Sequence, residues 1–392
     1  MQKKFLPLLA RLSLMFGGLA CALISMLVMV NLFPQLLPTS LRDPLDQRTR
    51  NETRHIVFTE DQGDIFIIMA GSVRPIENPQ VLAEYDIAWD AEGFRVPAMQ
   101  ADHYPIIAIG DSFTEGYNVA APWTDALAAN LNTPVQNLGY RGYGPIEYQV
   151  VMDEYGRGEH EWVLLAFFEG NDLRNIQTSV QDPNTLERLT MLARDEEEIP
   201  QPFEIVERET DDYPYPMPVI IGSDYHELSF FDPFIWFLNA EPEEYATSQN
   251  VSRFRDILID MQAKKHPDAC FGVIYIPTKE RMYFPYSEIN ARRWILEIGY
   301  KTVAHEDGWL GGADEQVDFE TMVSRFSNER DVIQTMVGAI DGLHFIDLSP
   351  AFEQAAAEGQ ILYYAYDTHW NQAGHDMAGS LIAEYIRQHP DC

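Results

Sequence analysis

Ser112, Gly142, Asn171, Asp367 and His369 lie far apart in the chain, yet between them they supply every group that an acyl transfer needs. That reaction requires a nucleophile, a base to take its proton and a group that orients the base. It also requires hydrogen-bond donors aimed at the oxyanion that develops on the carbonyl. Ser112, His369 and Asp367 fit the first three roles. The backbone N–H groups of Ser112 and Gly142 and the side-chain amide of Asn171 fit the last. Each residue alone has a plainer use. Ser112 follows Asp111 and could be an N-cap opening a helix. Asn171 could be a turn residue, His369 a capping or packing group, and Asp111 a brace for its turn. His226, His344 and His375 read as structural. Lys279 and Glu280, in IPTKE at a strand end, are candidates for lining a cleft.

The elements that must position these residues are legible as apolar runs. In YPIIAIGDSFTEGYN, residues 104–118, the uninterrupted Ile106, Ile107, Ala108 and Ile109 predict a parallel strand buried on both faces. Gly110 permits a tight turn. Ser112 then sits at the strand's carboxyl end, where open α/β sheets place their sites. Further strands are predicted at 134–138, 161–168, 271–276 and 343–347. Helices are expected at about 122–131, 146–154, 350–358 and 371–388, with Pro122 suited to a first turn. Strands alternating with helices imply a mostly parallel sheet covered on both faces. Gly142 follows the second strand and Asn171 the third. Asp367 and His369 immediately precede the last helix.

Outside this core the signals are of other kinds. Residues 12–33 carry no charge over 22 positions, about the ~20 that span a bilayer as a helix. Lys3, Lys4 and Arg11 precede them, which favours a cytoplasmic N-terminus and an extracytoplasmic remainder. The rival is a cleaved signal peptide, whose apolar core is usually shorter, ~7–15 residues. Residues 34–55 read as a linker. The runs at 56–59 and 65–69 suggest a hairpin, 85–97 a loop, and the whole of 56–103 an accessory layer without chemistry. The catalytic region is expected over 104–392, interrupted by an insertion at about 175–265. Within that insertion 195–214 is acidic and proline-bearing, and 225–238, YHELSFFDPFIWFL, is densely aromatic. The latter reads as core packing, with a cleft wall or partner surface as the alternative. A net charge of -34 excludes the basic footprint of a nucleic-acid binder. Of three cysteines, Cys21 falls in the apolar segment, so Cys270 and Cys392 form the one pair open to the rest of the chain. No CxxC spacing points to a metal.

Taken in order, the motifs resemble those of the SGNH (GDSL-type) hydrolase superfamily. GDSFTEG at 110–116 is similar to its first block, with Ser112 as nucleophile. NLGYRGYG at 137–144 is similar to its second, whose later glycine maps to Gly142, and EGND at 169–172 matches its third through Asn171. The resemblance implies a flavodoxin-like three-layer α/β/α sandwich and a cofactor-free Ser112–His369–Asp367 triad, with an oxyanion hole from Ser112, Gly142 and Asn171. One departure stands out. A single residue, Thr368, separates Asp367 from His369, where the common pattern has two, and Asp347 is a second candidate for the acid. This D-x-H-W-N form is similar to the membrane-associated branch that includes alginate-type polysaccharide O-acetyltransferases. The expected function is therefore a membrane-anchored, extracytoplasmic serine esterase or O-acyltransferase acting on acyl groups of carbohydrate or lipid. A membrane-bound acyl donor protein is the partner the branch implies. The reading from a different class is a non-catalytic subunit of a membrane complex that retains the fold.

Overall fold

The computed structural model describes residues 48–59, 80–178, 217–296, 317–390 and 392. The apolar segment 12–33, the strand-like run 65–69 and the acidic stretch 195–214 lie outside them. Among the described residues no helix is long and apolar enough to cross a membrane. The strands, in chain order, are β1 (Glu52–Thr59), β2 (Val81–Trp89), β3 (Ile106–Gly110), β4 (Val135–Gly139), β5 (Trp162–Phe168), β6 (Met217–Ile221), β7 (Asp224–Leu228), β8 (Cys270–Ile276) and β9 (Leu343–Asp347). The helices that bear on the site are α1 (Ser112–Glu115), α2 (Trp123–Leu131), α3 (Pro145–Tyr155), α4 (Asp172–Thr178) and α5 (Asp232–Phe237). They continue with α6 (Gln249–Lys264), α7 (Lys279–Tyr283), α8 (Asn328–Gly338), α9 (Ser349–Ala357) and α10 (Gln372–Gln388).

Strands β3, β5 and β8 have no polar face and are buried along their whole length, so they must be covered on both sides. They form the middle of a five-stranded parallel sheet in the order β4-β3-β5-β8-β9. Because side chains alternate across a strand, each one feeds two cores. Ile106, Ala108, Leu164 and Ala166 pack on one face with Trp123 and Leu127 of α2, Phe352 of α9 and Ile382 of α10. Ile107, Ile109, Leu165 and Phe167 pack on the other with Val151 of α3, Phe254 and Leu258 of α6, and Ile333 of α8. The result is the three-layer sandwich expected. Counted along the chain the sheet order is 2-1-3-4-5, the flavodoxin-like order, with its reversal between β3 and β5. That reversal opens a crevice at the strands' carboxyl ends, where the loops bearing Ser112 and Asn171 emerge.

The accessory layer differs from its sequence reading. Strand β1 reaches back to Glu52, into the stretch expected as linker, and pairs antiparallel with β2, which covers part of the expected 85–97 loop. The reason is an alternation that a loop reading overlooks. Tyr85, Ile87 and Trp89 all point to one face, and with Ile56 and Phe58 they form a small core against Val119 and Tyr364. In the insertion, β6 and β7 make a two-stranded ribbon. From Phe230 to Leu238 the aromatic stretch joins the sheet core, as its packing reading holds, whereas Tyr225 is exposed.

Cys270 and Cys392 form a disulfide that ties the C-terminal residue to the start of β8 across 122 positions. Closing so long a loop removes much of the freedom of the unfolded chain, in the range of about 2–5 kcal/mol. Cys392→Ser should therefore lower the free energy of unfolding by that order, read as a lower urea midpoint, with a slope equal to or steeper than that of wild type because the unfolded chain is less constrained. An unchanged midpoint would mean that the bridge contributes nothing to stability.

Candidate active site

The nucleophile turn is built by close packing. Gly110 does not adopt a left-handed conformation. It is needed because a Cβ there would lie 2.2 Å from Thr114 Oγ1 and 3.0 Å from Ala166 Cβ. Glycine thus lets α1 fold directly over the end of β3, which presents Ser112 at the helix's first position. Asp111 caps that helix, its Oδ1 accepting the Phe113 N–H at 2.9 Å. Burial pushes the Asp111 carboxyl up to about 6, against the opposing pull of that N–H and of His369. From β4, Asn137 Nδ2 donates to the Thr114 carbonyl at 2.6 Å and to Thr124 Oγ1 at 3.1 Å.

The accessory layer, read in the sequence as without chemistry, holds the other end of α1. Buried Glu115 accepts from Trp89 Nε1 at 2.9 Å, from the Arg141 backbone N–H at 3.0 Å and from the Arg141 guanidinium. Arg95 donates to the carbonyls of Glu115, Gly116, Val119 and Ala120. Only the tertiary fold reveals these contacts, because no local spacing links residues 89 and 95 to 115.

The acid and base share one loop. Its base is closed by the Tyr364 N–H donating to the His369 carbonyl at 3.1 Å and by a bridge between Tyr363 and Trp370. Asp367 makes an Asx turn, its Oδ1 accepting the His369 backbone N–H at 2.7 Å. The same oxygen lies 2.5 Å from His369 Nδ1, and His369 Nε2 lies 2.7 Å from Ser112 Oγ. An ionised carboxylate only accepts, so Nδ1 carries the proton and Nε2 offers its lone pair to the serine hydroxyl. The one-residue spacing that departs from the common pattern is what allows the Asx turn. The His369 ring packs against Phe113 in a tilted arrangement, with ring centroids 4.8 Å apart, and keeps 24% of its side-chain surface exposed. Asp347 is elsewhere, accepting the Ser349 N–H and pairing with Arg330, so it does not compete for the acid role.

The donor groups lie on neighbouring loops. Ser112, Gly142 and Asn171 follow β3, β4 and β5, which are adjacent in the sheet. Among the described residues no protein acceptor takes the Ser112 N–H, the Gly142 N–H or the Asn171 side-chain amide. Gly142 has a φ of +80°, which side chains rarely tolerate, and a Cβ there would meet nothing within 4 Å. The side of Gly142 on which a side chain would stand is therefore open. The Asn171 Oδ1 is buried without a partner among the described residues.

Other sequence candidates resolve differently. Lys279 and Glu280 do not line the cleft; both are fully buried beneath the Asp367–His369 loop. His375 accepts the Trp123 N–H at Nδ1 and is buried, which drives its pKa well below the ordinary value, so it is structural. His344 meets the Tyr385 hydroxyl at 3.1 Å, at the sheet edge away from Ser112.

A 2-1-3-4-5 sheet with a serine after its first strand and a D-x-H loop before its last helix has the architecture of an SGNH-type domain. Residues 320–392, which include β9, the Asp367–His369 loop and α10, match the family model described as SGNH hydrolase-like domain, acetyltransferase AlgX. The likeness to the SGNH superfamily thus has support separate from the motifs around Ser112. Among solved structures, the phospholipase A1 from Streptomyces albidoflavus NA297 is 14% identical over 71% of this chain and 97% of its own, with a TM-score of 0.40. A member of the lipolytic protein G-D-S-L family from Veillonella parvula DSM 2008 is 12% identical over 72% and 98%, with a TM-score of 0.34. The acetyl xylan esterase Est2A from the rumen bacterium Butyrivibrio proteoclasticus is 10% identical over 74% and 66%, with a TM-score of 0.30. No curated protein matches the chain.

The electrostatics of the loop set a pH dependence. Burial alone would lower the His369 pKa, but the charge and hydrogen bond of Asp367, helped by Asp111, outweigh it and raise the pKa; Lys279 opposes. For Asp367, burial raises the pKa, and His369 and Lys279 more than reverse the effect. A base must be neutral to accept a proton, so a raised pKa moves its acid limb upward. The His369 ring, followed by NMR, should titrate above the ordinary imidazole value of about 6.5. Asp367→Asn should move that titration down, and an unchanged value in the variant would contradict the pairing.

Proposed function

We propose that this protein is a serine esterase or O-acetyltransferase that acts on acyl, above all acetyl, esters of carbohydrate through Ser112, His369 and Asp367. The observation that carries this reading is the unbroken hydrogen-bonded chain from Ser112 Oγ through the His369 ring to Asp367. Ser112 Oγ attacks the ester carbonyl while His369 Nε2 takes its proton, and Asp367 holds the ring in the required tautomer and stabilises the imidazolium. The N–H groups of Ser112 and Gly142 and the Asn171 amide receive the oxyanion. Collapse of the tetrahedral intermediate breaks the ester C–O bond, and His369 returns the proton to the departing alcohol. The acyl group is left on Ser112. Water or a sugar hydroxyl, deprotonated by His369, then attacks the acyl-enzyme and frees the serine. Hydrolysis and transfer use the same groups and differ only in which acceptor reaches Ser112.

Two features outside the site support a membrane-anchored, extracytoplasmic setting. Residues 12–33 anchor the chain in a membrane, with the basic residues before them on the cytoplasmic side. The Cys270–Cys392 disulfide suits the oxidising conditions beyond that membrane. The match of 320–392 to a domain described as SGNH hydrolase-like, acetyltransferase AlgX, supports acetyl transfer, and the D-x-H-W-N resemblance adds a polysaccharide acceptor and an acyl donor protein in the same membrane.

Full-length protein in detergent should react with a fluorophosphonate probe at one site, read by intact mass. Ser112→Ala should abolish labelling, and His369→Ala should slow it by about 10³-fold or more. With p-nitrophenyl acetate, Asn171→Ala should lower kcat by about 10²-fold or more, the cost of removing one oxyanion donor. Labelling that persists in Ser112→Ala would overturn the assignment.

A further inference from the structure

The Asp367–His369 loop is gripped from inside by a cation that the triad chemistry does not use. Lys279 is fully buried, and its ammonium donates to the backbone carbonyls of Tyr364 at 3.3 Å, Ala365 at 3.2 Å and Asp367 at 2.8 Å. The last of these is the carbonyl of the residue whose side chain orients the base. We propose that Lys279 is a positioning residue for the Ser112–His369–Asp367 relay, its ammonium pinning the loop that carries the acid and base through three converging carbonyls. This rests on the reading of that relay as a serine acyl-transfer site.

The lysine is itself held rigidly. Thr278 caps α7 by accepting the Arg281 N–H at 3.2 Å, and its own N–H and hydroxyl both donate to Glu169. Glu169 is buried at the end of β5 and also pairs with Arg281 at 2.9 Å and accepts from Tyr275. The end of β5, which leads into the Asn171 loop, thus shares one buried network with the start of α7. The insertion closes the arrangement. The Ser229 N–H donates to the Ala365 carbonyl at 2.8 Å, and the Phe231 N–H donates to Glu280 at 2.7 Å. From outside, the Tyr364 hydroxyl donates to the Asn118 carbonyl at 2.7 Å, and its ring lies 4.8 Å from that of Phe58 in β1. With the loop fixed on both sides, His369 has little freedom to leave Ser112. A misplacement of about 1 Å in such a group costs on the order of 10²-fold in rate.

The charge has a second effect that distinguishes positioning from mere support. His369 faces Asp367 in its own loop, Asp111 at the nucleophile turn, Lys279 on α7 and His375 on α10. Among these, the Lys279 charge opposes protonation of His369 and stabilises the ionised form of Asp367. Lys279 in turn faces Glu280 and Asp367, and burial brings its own pKa down to about 8.

The test compares full-length wild type, Lys279→Met and Lys279→Arg, with folding followed by near-ultraviolet circular dichroism. Turnover of p-nitrophenyl acetate and the rate of fluorophosphonate labelling are measured from pH 5 to 9.5. Methionine keeps the unbranched shape without the charge. Lys279→Met is expected to lose about 10²-fold in kcat with KM within about twofold, and its acid limb should move upward. A folded Lys279→Met with wild-type kcat, or with an unmoved acid limb, would overturn the proposal. If the methionine variant does not fold, Lys279→Arg decides, because arginine stays charged throughout the range. Wild-type labelling should then fall as pH rises through about 8, and Lys279→Arg should show no such fall. The same decline in both would overturn the proposal. Failure of the wild type to label at any pH would sink the relay reading itself, and the proposal with it.

Discussion

One carboxylate oxygen sets the geometry of the whole site. Oδ1 of Asp367 accepts both the backbone N–H and the ring Nδ1–H of the same histidine. The first contact folds the loop and the second fixes the ring, so the local turn and the ring's tautomer cannot be set independently. Everything around the loop serves to bring this unit to Ser112. The sheet places the serine at the reversal between β3 and β5, α10 begins immediately after the loop, and the cap at Asn371 accepts the Gly374 N–H to start that helix.

The site sits among more buried charge than the proposed triad requires. Glu115, Glu169, Arg95 and Lys279 are all buried, and each has its polar atoms met by backbone groups or by an opposite charge. A buried ion is costly unless it is so paired, and removing one partner strands the other. Such groups therefore couple the loops they bridge, because moving one loop away would leave a buried partner unpaired. Here they fasten the Ser112 turn, the Asn171 loop and the histidine loop to a common frame. Preorganisation of this kind is what an oxyanion hole needs, since donors that must reorient during the reaction lose most of their effect.

How much of this was legible in the sequence follows physical lines. Strands such as Ile106–Ile109 and Trp162–Phe168 could be read because burial on both faces demands unbroken apolar runs, and Ser112 and Asn171 could be read because they sit beside those runs, whereas Asp367 and His369 were read from their motif ahead of the last helix. The β2 strand was obscured by a different pattern: Tyr85, Ile87 and Trp89 alternate with polar or small residues and carry turn-forming neighbours downstream. Gly110 was read as a turn glycine, yet its requirement is steric and comes from Thr114 and Ala166. Lys279 and Glu280 looked like cleft residues because charge at a strand end usually meets solvent. Their burial depends on the insertion and on the histidine loop, which arrive from distant parts of the chain. The Asx turn at Asp367 explains why a spacing one residue short of the common pattern still brings the acid to the base.

The most direct test of the central claim is to trap the acyl-enzyme. Wild-type protein mixed with excess p-nitrophenyl acetate and quenched in acid within the first turnover should carry one acetyl group, located by peptide mapping on Ser112. Release of p-nitrophenol without acetyl on Ser112, or with the acetyl on another residue, would contradict the account.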